Sequence, residues 1–118
     1  MKPRILLATL SFAALTLVAC GGEAPVATPG TAAAADGKRL FEGQFNCQQC
    51  HPNGNRGVGR ALVGEEFQQR HPTDVTVVRK VRTGGNGMPA FPPSIMTDDQ
   101  LAEVVAYVRW LNEQDAAQ

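Results

Sequence analysis

One pentapeptide constrains this chain more than any other feature, because residues 47–51 read Cys-Gln-Gln-Cys-His. On one helical turn, residues at i, i+3 and i+4 share a side, so the thiols of Cys47 and Cys50 and the imidazole of His51 face the same way. This spacing is typical of a c-type haem attachment site, where two thiols add to the haem vinyl groups and the histidine reaches the iron. The sequence therefore predicts one covalent haem c, with Cys47 and Cys50 as thioether residues and His51 as an iron ligand.

Three other interpretations of the pentapeptide remain open on the residues alone. A zinc site needs four ligands, and the only further histidine or cysteine in this part of the chain is His71, which lacks metal-site spacing. A thioredoxin-like redox pair needs a βαβ context, which the sequence lacks. A plain disulfide between Cys47 and Cys50 is compatible with an oxidising compartment.

The start of the chain predicts export. Lys2 and Arg4 precede residues 5–19, an almost wholly apolar run that is shorter than the roughly 20 residues of a spanning helix. A basic start, a short apolar core and then small residues are typical of a secretory signal peptide. An uncleaved membrane anchor is the alternative. Export agrees with the haem interpretation, since covalent attachment of haem c takes place outside the cytoplasm.

The end of the apolar run resembles the lipobox of bacterial lipoproteins. It reads Leu-Val-Ala-Cys at positions 17–20 and is followed by Gly21. The resemblance implies that Cys20 becomes the acylated N-terminus, and two or more acyl chains suffice for stable anchoring. It places the protein on the periplasmic or other extracytoplasmic face of a bacterial membrane. In the alternative, the signal is an ordinary one and Cys20 is incidental.

Composition divides the rest of the chain into a tether and one small domain. Residues 21–35 are a low-complexity stretch of Gly, Ala, Pro and Thr, so we expect residues 1–19 to be the signal, 20–35 a lipid-anchored flexible linker and 36–118 the folded domain. A domain of that size has a thin core and often needs a cofactor. Eleven basic and eleven acidic residues balance, which excludes the charge pattern of a nucleic-acid binder.

Periodicity and capping residues predict an all-α class with long loops. We expect helices from Asp36 to about Phe45, from Leu62 to Gln69, from Thr73 or Asp74 to about Arg82, and from Thr97 onward. In the third helix, valines at 75, 78 and 81 form an apolar stripe. The last helix has a capping-box pattern, Thr97 with Gln100, and apolar residues at 101, 104, 105, 108 and 111.

This order of elements around the pentapeptide resembles a class I monohaem cytochrome c, in which three main helices and long loops wrap one covalent haem. The resemblance implies that Gly37 and Phe41 of the first helix pack against Tyr107 of the last, with Trp110 one turn on. Phe41 lies six residues before Cys47, whereas four is common in the family, so Phe45 is a second candidate for that contact. The family's Gly-Pro-x-Leu is Gly59-Arg60-Ala61-Leu62 here. We expect the Arg60 carbonyl to accept a hydrogen bond from His51 Nδ1, and Leu62 to pack on the haem.

Met88 is the predicted sixth ligand of the iron. It lies in Gly-Gly-Asn-Gly-Met-Pro, residues 84–89, where glycines allow the backbone to approach a flat macrocycle and Pro89 stiffens the loop. This segment also resembles the family's methionine loop. Met96 directly precedes the Thr97 cap and is expected to be a core residue.

The resemblance implies an electron-transfer protein, not an enzyme, that passes single electrons between redox proteins such as a membrane oxidase, reductase or dehydrogenase. A haem c gas sensor or small enzyme with an open sixth iron position is the alternative. The basic residues Arg79, Lys80 and Arg82 are expected to form a solvated face; a haem propionate contact or a docking patch is the alternative. His71 is expected to be a surface histidine rather than an iron ligand.

Overall fold

The computed structural model of the protein describes residues 29–118, and in that part helices joined by long loops account for all regular structure except a single bridge between Gly85 and Met88. The predicted all-α class is therefore confirmed. The four α-helices are α1 Ala32–Arg39, α2 Glu65–Arg70, α3 Asp74–Thr83 and α4 Asp98–Ala116. Short 3₁₀ turns span Cys47–Gln49 and Pro52–Gly54.

The predicted signal peptide, the lipobox with Cys20 and most of the predicted linker lie outside the described residues. Within residues 29–118, none of the helices is long and apolar enough to span a bilayer.

Helix α1 begins four residues before the predicted start at Asp36, so that prediction was wrong and residues 32–35, assigned to the linker, are helical. The hydroxyl of Thr31 caps the helix by accepting a hydrogen bond from the Ala34 N–H at 3.1 Å. Alanine has the highest helix propensity, and Ala34 is buried. Packing and capping thus convert an alanine run of linker-like composition into a helical turn.

A π-helical turn, Leu40–Gln44, continues α1 toward the cysteine pair. A π-helical turn contains more residues than an α-helical turn. It therefore accommodates the long spacing between Phe41 and Cys47. Phe41 is 1% exposed and its ring meets that of Tyr107 edge-on, with centroids 5.3 Å apart. Phe45 packs instead on Phe91.

Helix α4 is the centre of the core. The predicted capping box is present: Gln100 N–H donates to the Thr97 hydroxyl at 3.2 Å, and Thr97 N–H donates to the Gln100 side chain at 3.0 Å. The predicted apolar positions 101, 104, 105 and 108 are at most 3% exposed, and position 111 is half-buried. Tyr107 is buried and stacks on Trp110.

Helices α2 and α3 differ in detail from their predictions. Helix α2 is shorter than 62–69 because Gly64, at φ 82°, is its N-cap and the helix begins at Glu65; Phe67 is its buried residue. In α3 the predicted stripe was wrong at Val75, which is 63% exposed; Val77 and Val81 are the buried pair. These two are four residues apart and share a face, which the core contacts.

Candidate cofactor site

An apolar cavity lies among the helices and the two long loops, and three of the predicted site residues, Cys47, His51 and Met88, line it. Leu62 also lines it. Met96 does not: it is fully buried in the core beneath α4. The remaining lining residues are Phe41, Phe67, His71, Val77, Lys80, Val81, Val104 and Val108.

The pentapeptide forms one tight turn. Asn46, at φ 48°, directly precedes this turn, and the N–H groups of Cys50 and His51 both donate to the Cys47 carbonyl, at 3.1 and 2.9 Å. Cys50 lies on this turn but does not line the cavity, and no disulfide joins it to Cys47. Burial, with a smaller contribution from neighbouring Cys50, raises the pKa of the Cys47 thiol to about 11.

The backbone fixes the orientation of His51. Its Nδ1 lies 2.8 Å from the carbonyl oxygen of Arg60, the contact that the resemblance implied. A ring nitrogen that donates to a carbonyl carries the proton, so Nε2 keeps its lone pair and is available to a metal ion. The substitution of proline by Arg60 preserves this carbonyl, and the Arg60 side chain points away to pair with Glu66 at 3.2 Å.

Gly59 is a site residue that sequence reasoning missed. A Cβ atom on Gly59 would lie 2.2 Å from Cε1 of His51, so the Gly59 backbone rests directly against the imidazole ring. The Gly59 N–H also donates to the Cys50 carbonyl at 2.9 Å. The glycine-rich composition of this loop was visible in the sequence, but it does not show which glycine meets the histidine.

A tight turn positions Met88. The N–H of Gly85 donates to the Met88 carbonyl at 2.9 Å, and Asn86 and Gly87 between them have φ values of 57° and 84°. Two consecutive positive φ values are the requirement of a type I′ turn, for which Asn-Gly is the preferred pair. That pair was a signal in the sequence for this turn, and the prediction of a loop without regular structure overlooked it.

The three basic residues of α3 do not form a single solvated face. Lys80 Nζ donates to the carbonyls of Gly84 and Gly85 at 2.8 and 3.0 Å and lines the cavity. Arg82 Nη1 donates to the carbonyls of Phe91 and Met96, each at 2.7 Å. Only Arg79 is exposed. The expectation of a solvated face therefore holds for Arg79 and was wrong for the other two. Lys80 and Arg82 instead hold the loop around Met88 in place by donating hydrogen bonds to carbonyls on both sides of it.

His71 differs from its prediction as well. It is half-buried and lines the cavity, whereas a surface position was expected. Its ring packs on Phe67, with centroids 5.2 Å apart. The sequence does not reveal this position. His71 directly follows α2, and the direction of its side chain depends on how the loop before α2 places that helix.

The donor set fits a haem and does not fit zinc. A thiol, an imidazole with a free Nε2 and a thioether surround an apolar space, which suits an iron porphyrin, and Cys50 supplies the second thiol on the same turn. Among residues 29–118, no group of three or more His, Cys, Asp and Glu side chains is arranged to hold a metal ion. Haem c, when bound, supplies one-electron redox chemistry.

The fold and this site define a c-type cytochrome domain. Residues 32–108 match the family described as cytochrome c oxidase, cbb3-type, subunit III, and the chain belongs to this family. It is a c-type cytochrome, a class whose cofactor is covalently bound haem c.

A curated relative gives the same class of protein. The chain is 35% identical over 72 residues to the 4-cresol dehydrogenase [hydroxylating] cytochrome c subunit of Pseudomonas putida. The match covers 61% of this chain and 57% of that protein, so the chain spans little more than half of the relative's length.

Proposed function

We propose that this protein is a membrane-tethered monohaem electron carrier in which His51 and Met88 bind the two axial positions of the iron. The supporting observation is that His51 and Met88 line the same apolar cavity as Cys47, while Met96 is buried elsewhere in the core. In this proposal Cys47 and Cys50 form the thioether bonds, the Arg60 carbonyl orients His51, and Leu62 packs on the haem.

Two protein ligands on the iron favour a carrier over an enzyme. The Met88 thioether and the His51 imidazole would both hold the iron, which would leave no iron position open to a substrate or a gas. Ligation by methionine and histidine also raises the reduction potential, as suits a protein that accepts and releases an electron without other chemistry. Bound haem would supply the redox chemistry, and the chain would set its potential, its access and its docking.

The proposed partners are redox proteins, and a dehydrogenase is supported by the curated relative, whose name describes a cytochrome subunit of one. The family name supports an oxidase as the second kind of partner. We further propose export to the periplasm and acylation of Cys20. Because α1 begins at Ala32, a coil of residues 21–31 would hold the domain within about 20 Å of the bilayer.

The ligand assignment is tested by two matched substitutions, Met88→Leu and Met96→Leu. Leucine conserves the volume of methionine and removes the sulfur, so neither change opens a large cavity. The wild-type ferric protein should show the weak near-infrared band of an iron–sulfur bond, and its ferrous form should bind carbon monoxide poorly. Met88→Leu should abolish the band, allow rapid carbon monoxide binding and lower the potential, and Met96→Leu should change none of these.

The sensor or enzyme alternative predicts the opposite result in the wild type. A ferrous wild-type protein that is high-spin and binds carbon monoxide at once would have an open sixth position, and the carrier proposal would be wrong. Loss of the band in Met96→Leu with its retention in Met88→Leu would transfer the ligand role to Met96.

A further inference from the structure

The cavity contains two polar groups that iron ligation and thioether formation do not use. Apart from Cys47, His51 and Met88, its lining is apolar except for His71 and Lys80. A haem is an apolar macrocycle that carries two propionate carboxylates, and a carboxylate removed from water must be paired or hydrogen-bonded. We propose that His71 binds one of these propionates and so couples proton binding to electron transfer in this cytochrome.

His71 has an unmet hydrogen-bonding requirement. Its Nδ1 is buried and has no hydrogen-bond partner among residues 29–118. A buried polar atom without a partner costs free energy and calls for a specific explanation. A propionate of a haem bound in the adjoining cavity would supply an acceptor for that nitrogen, and none of the apolar lining residues can.

The charges around His71 favour an anion. Burial, followed by the charges of Arg70, Arg109 and Lys80, lowers the pKa of His71, while the backbone of Thr76 opposes that shift. These three cations come from α2, α4 and α3, so positive charge faces His71 from each helix packed around it.

Two of these three cations have a carboxylate partner and Lys80 does not. Glu66 Oε1 lies 3.7 Å from Nε of Arg70, whereas the amine of Lys80 donates only to carbonyls among the described residues. Asp74 is largely exposed and pairs with Arg109 at 2.8 Å. Glu113 lies with His71 along a second, more open cavity. Lys80 is therefore the cation near His71 that has no carboxylate partner among the described residues, and it lines the cavity in which a haem propionate would lie.

Asn112 is the competing partner for the His71 nitrogen. It is 7% exposed, its amide nitrogen donates to the carbonyls of Leu62 and Val108, and its Oδ1 has no partner among the described residues. Asn112 and His71 both line the second cavity. A contact between them would satisfy both atoms within the protein and would leave the haem potential independent of His71.

The proposal fixes the sign of the pH dependence. Ferric haem carries one more positive charge than ferrous haem, so it disfavours a protonated His71 more strongly. The pKa of His71 is then lower in the ferric protein than in the ferrous protein. The midpoint potential falls as the pH rises from the ferric pKa to the ferrous pKa. The chain contains one other histidine, His51, whose Nδ1 faces the Arg60 carbonyl.

The experiment is a redox titration of the holoprotein from about pH 5 to 8, the range in which histidine changes charge. The wild-type potential should fall with a slope that approaches, at most, 59 mV per pH unit, the value for one proton per electron. His71→Gln keeps a hydrogen-bonding side chain but cannot titrate, so its potential should be flat. Arg79→Gln removes an exposed cation that does not line the cavity and should keep the wild-type slope.

A second readout uses the wild type alone, so it does not depend on the folding of a variant. The NMR resonances of the His71 ring should titrate at a higher pH in the ferrous than in the ferric protein. Equal pKa values in the two redox states, or equal slopes in wild type and His71→Gln, would overturn the proposal and favour Asn112 as the partner. A wild-type spectrum of two axial histidines would overturn it too, because His71 would then bind the iron.

The inference depends on bound haem and not on Met88 as sixth ligand or on the membrane tether. Its failure and that of the proposed function are therefore distinguishable. The near-infrared band and carbon monoxide binding report on Met88, while the pH slope and the ring titration report on His71.

Discussion

Gly37 and Glu103 are in backbone contact where α1 crosses α4. A Cβ atom at position 37 would lie 1.9 Å from the Glu103 carbonyl oxygen and 2.9 Å from Cβ of Tyr107. This approach brings Phe41, one turn further along, onto the Tyr107 ring, and Phe41 also lines the cavity. The glycine therefore sets the position of one wall of the haem site.

Gly37→Ala should lower the free energy of unfolding by about 3 kcal/mol or more, because overpacking against backbone cannot be relieved by a side-chain rotation. Chemical denaturation of the holoprotein measures it. Gly43→Ala is the control: nothing lies within 4 Å of a Cβ atom there, so that change should be neutral or stabilise by about 0.5–1 kcal/mol. Equal stability of Gly37→Ala and wild type would show that α1 and α4 do not touch in solution.

Gly59→Ala should disturb the iron centre more than the fold. The added methyl group would overlap the His51 ring, so the imidazole must rotate and its hydrogen bond to the Arg60 carbonyl weakens. We expect a larger high-spin fraction and a lower yield of haem-loaded protein, measured by electronic absorption and paramagnetic resonance. Val58→Ala, at an adjacent residue that is 89% exposed, should leave both unchanged. An unperturbed low-spin spectrum in Gly59→Ala would contradict the ring contact.

The sequence predicted best what depends on neighbours along the chain. The capping box of Thr97 and Gln100 and the apolar face of α4 are local patterns, and both are present. In α3, valines at 75, 77, 78 and 81 allow more than one stripe over ten residues. The choice of Val77 with Val81 depends on where the core lies, which only the packed structure determines.

The features that were missed depend on distant partners. Residues 32–35 have linker composition, and capping by Thr31 together with burial of Ala34 makes them helical. Gly59 contacts the ring of His51, eight positions earlier in the chain. His71 lines the cavity because of the path that the loop before α2 follows. Periodicity and composition carry no signal for such contacts.

Cys20→Ala should release the cytochrome from membranes without changing its haem spectrum, because two acyl chains hold a protein on a bilayer stably. Fractionation of cells that mature haem c, followed by absorption spectroscopy of each fraction, measures this. Gly22→Ala, which keeps the cysteine, should remain in the membrane fraction. The lipid proposal fails if the wild type is soluble and mass spectrometry finds an unmodified Cys20.

Cys47→Ala with Cys50→Ala should prevent stable folding. The cavity is lined mostly by apolar side chains, and a domain this small gains little from its remaining core. The double variant should accumulate poorly and show little helix by circular dichroism. Gln48→Ala with Gln49→Ala, between the cysteines, should keep the haem and the helix content. Cooperative melting of a native-like double cysteine variant would show that the core suffices without the cofactor.

Arg82→Gln should loosen the methionine loop. The Arg82 guanidinium donates to the carbonyls of Phe91 and Met96 and pairs with Asp98, and its side chain is 16% exposed, so it connects α3, the loop and the start of α4. Loss of the donors leaves part-buried carbonyls without partners, which should cost about 2 kcal/mol of unfolding free energy.

If Met88 binds the iron, the looser loop should also let carbon monoxide bind the ferrous protein faster, which flash photolysis or stopped-flow absorption measures. Arg79→Gln is the matched control on the same helix, because Arg79 is exposed and its guanidinium makes no hydrogen bond or ion pair within residues 29–118. It should change stability by less than about 0.5 kcal/mol and leave the binding rate unaltered. A loss of stability without faster carbon monoxide binding would show that Arg82 stabilises the fold but is not needed to hold Met88 in position.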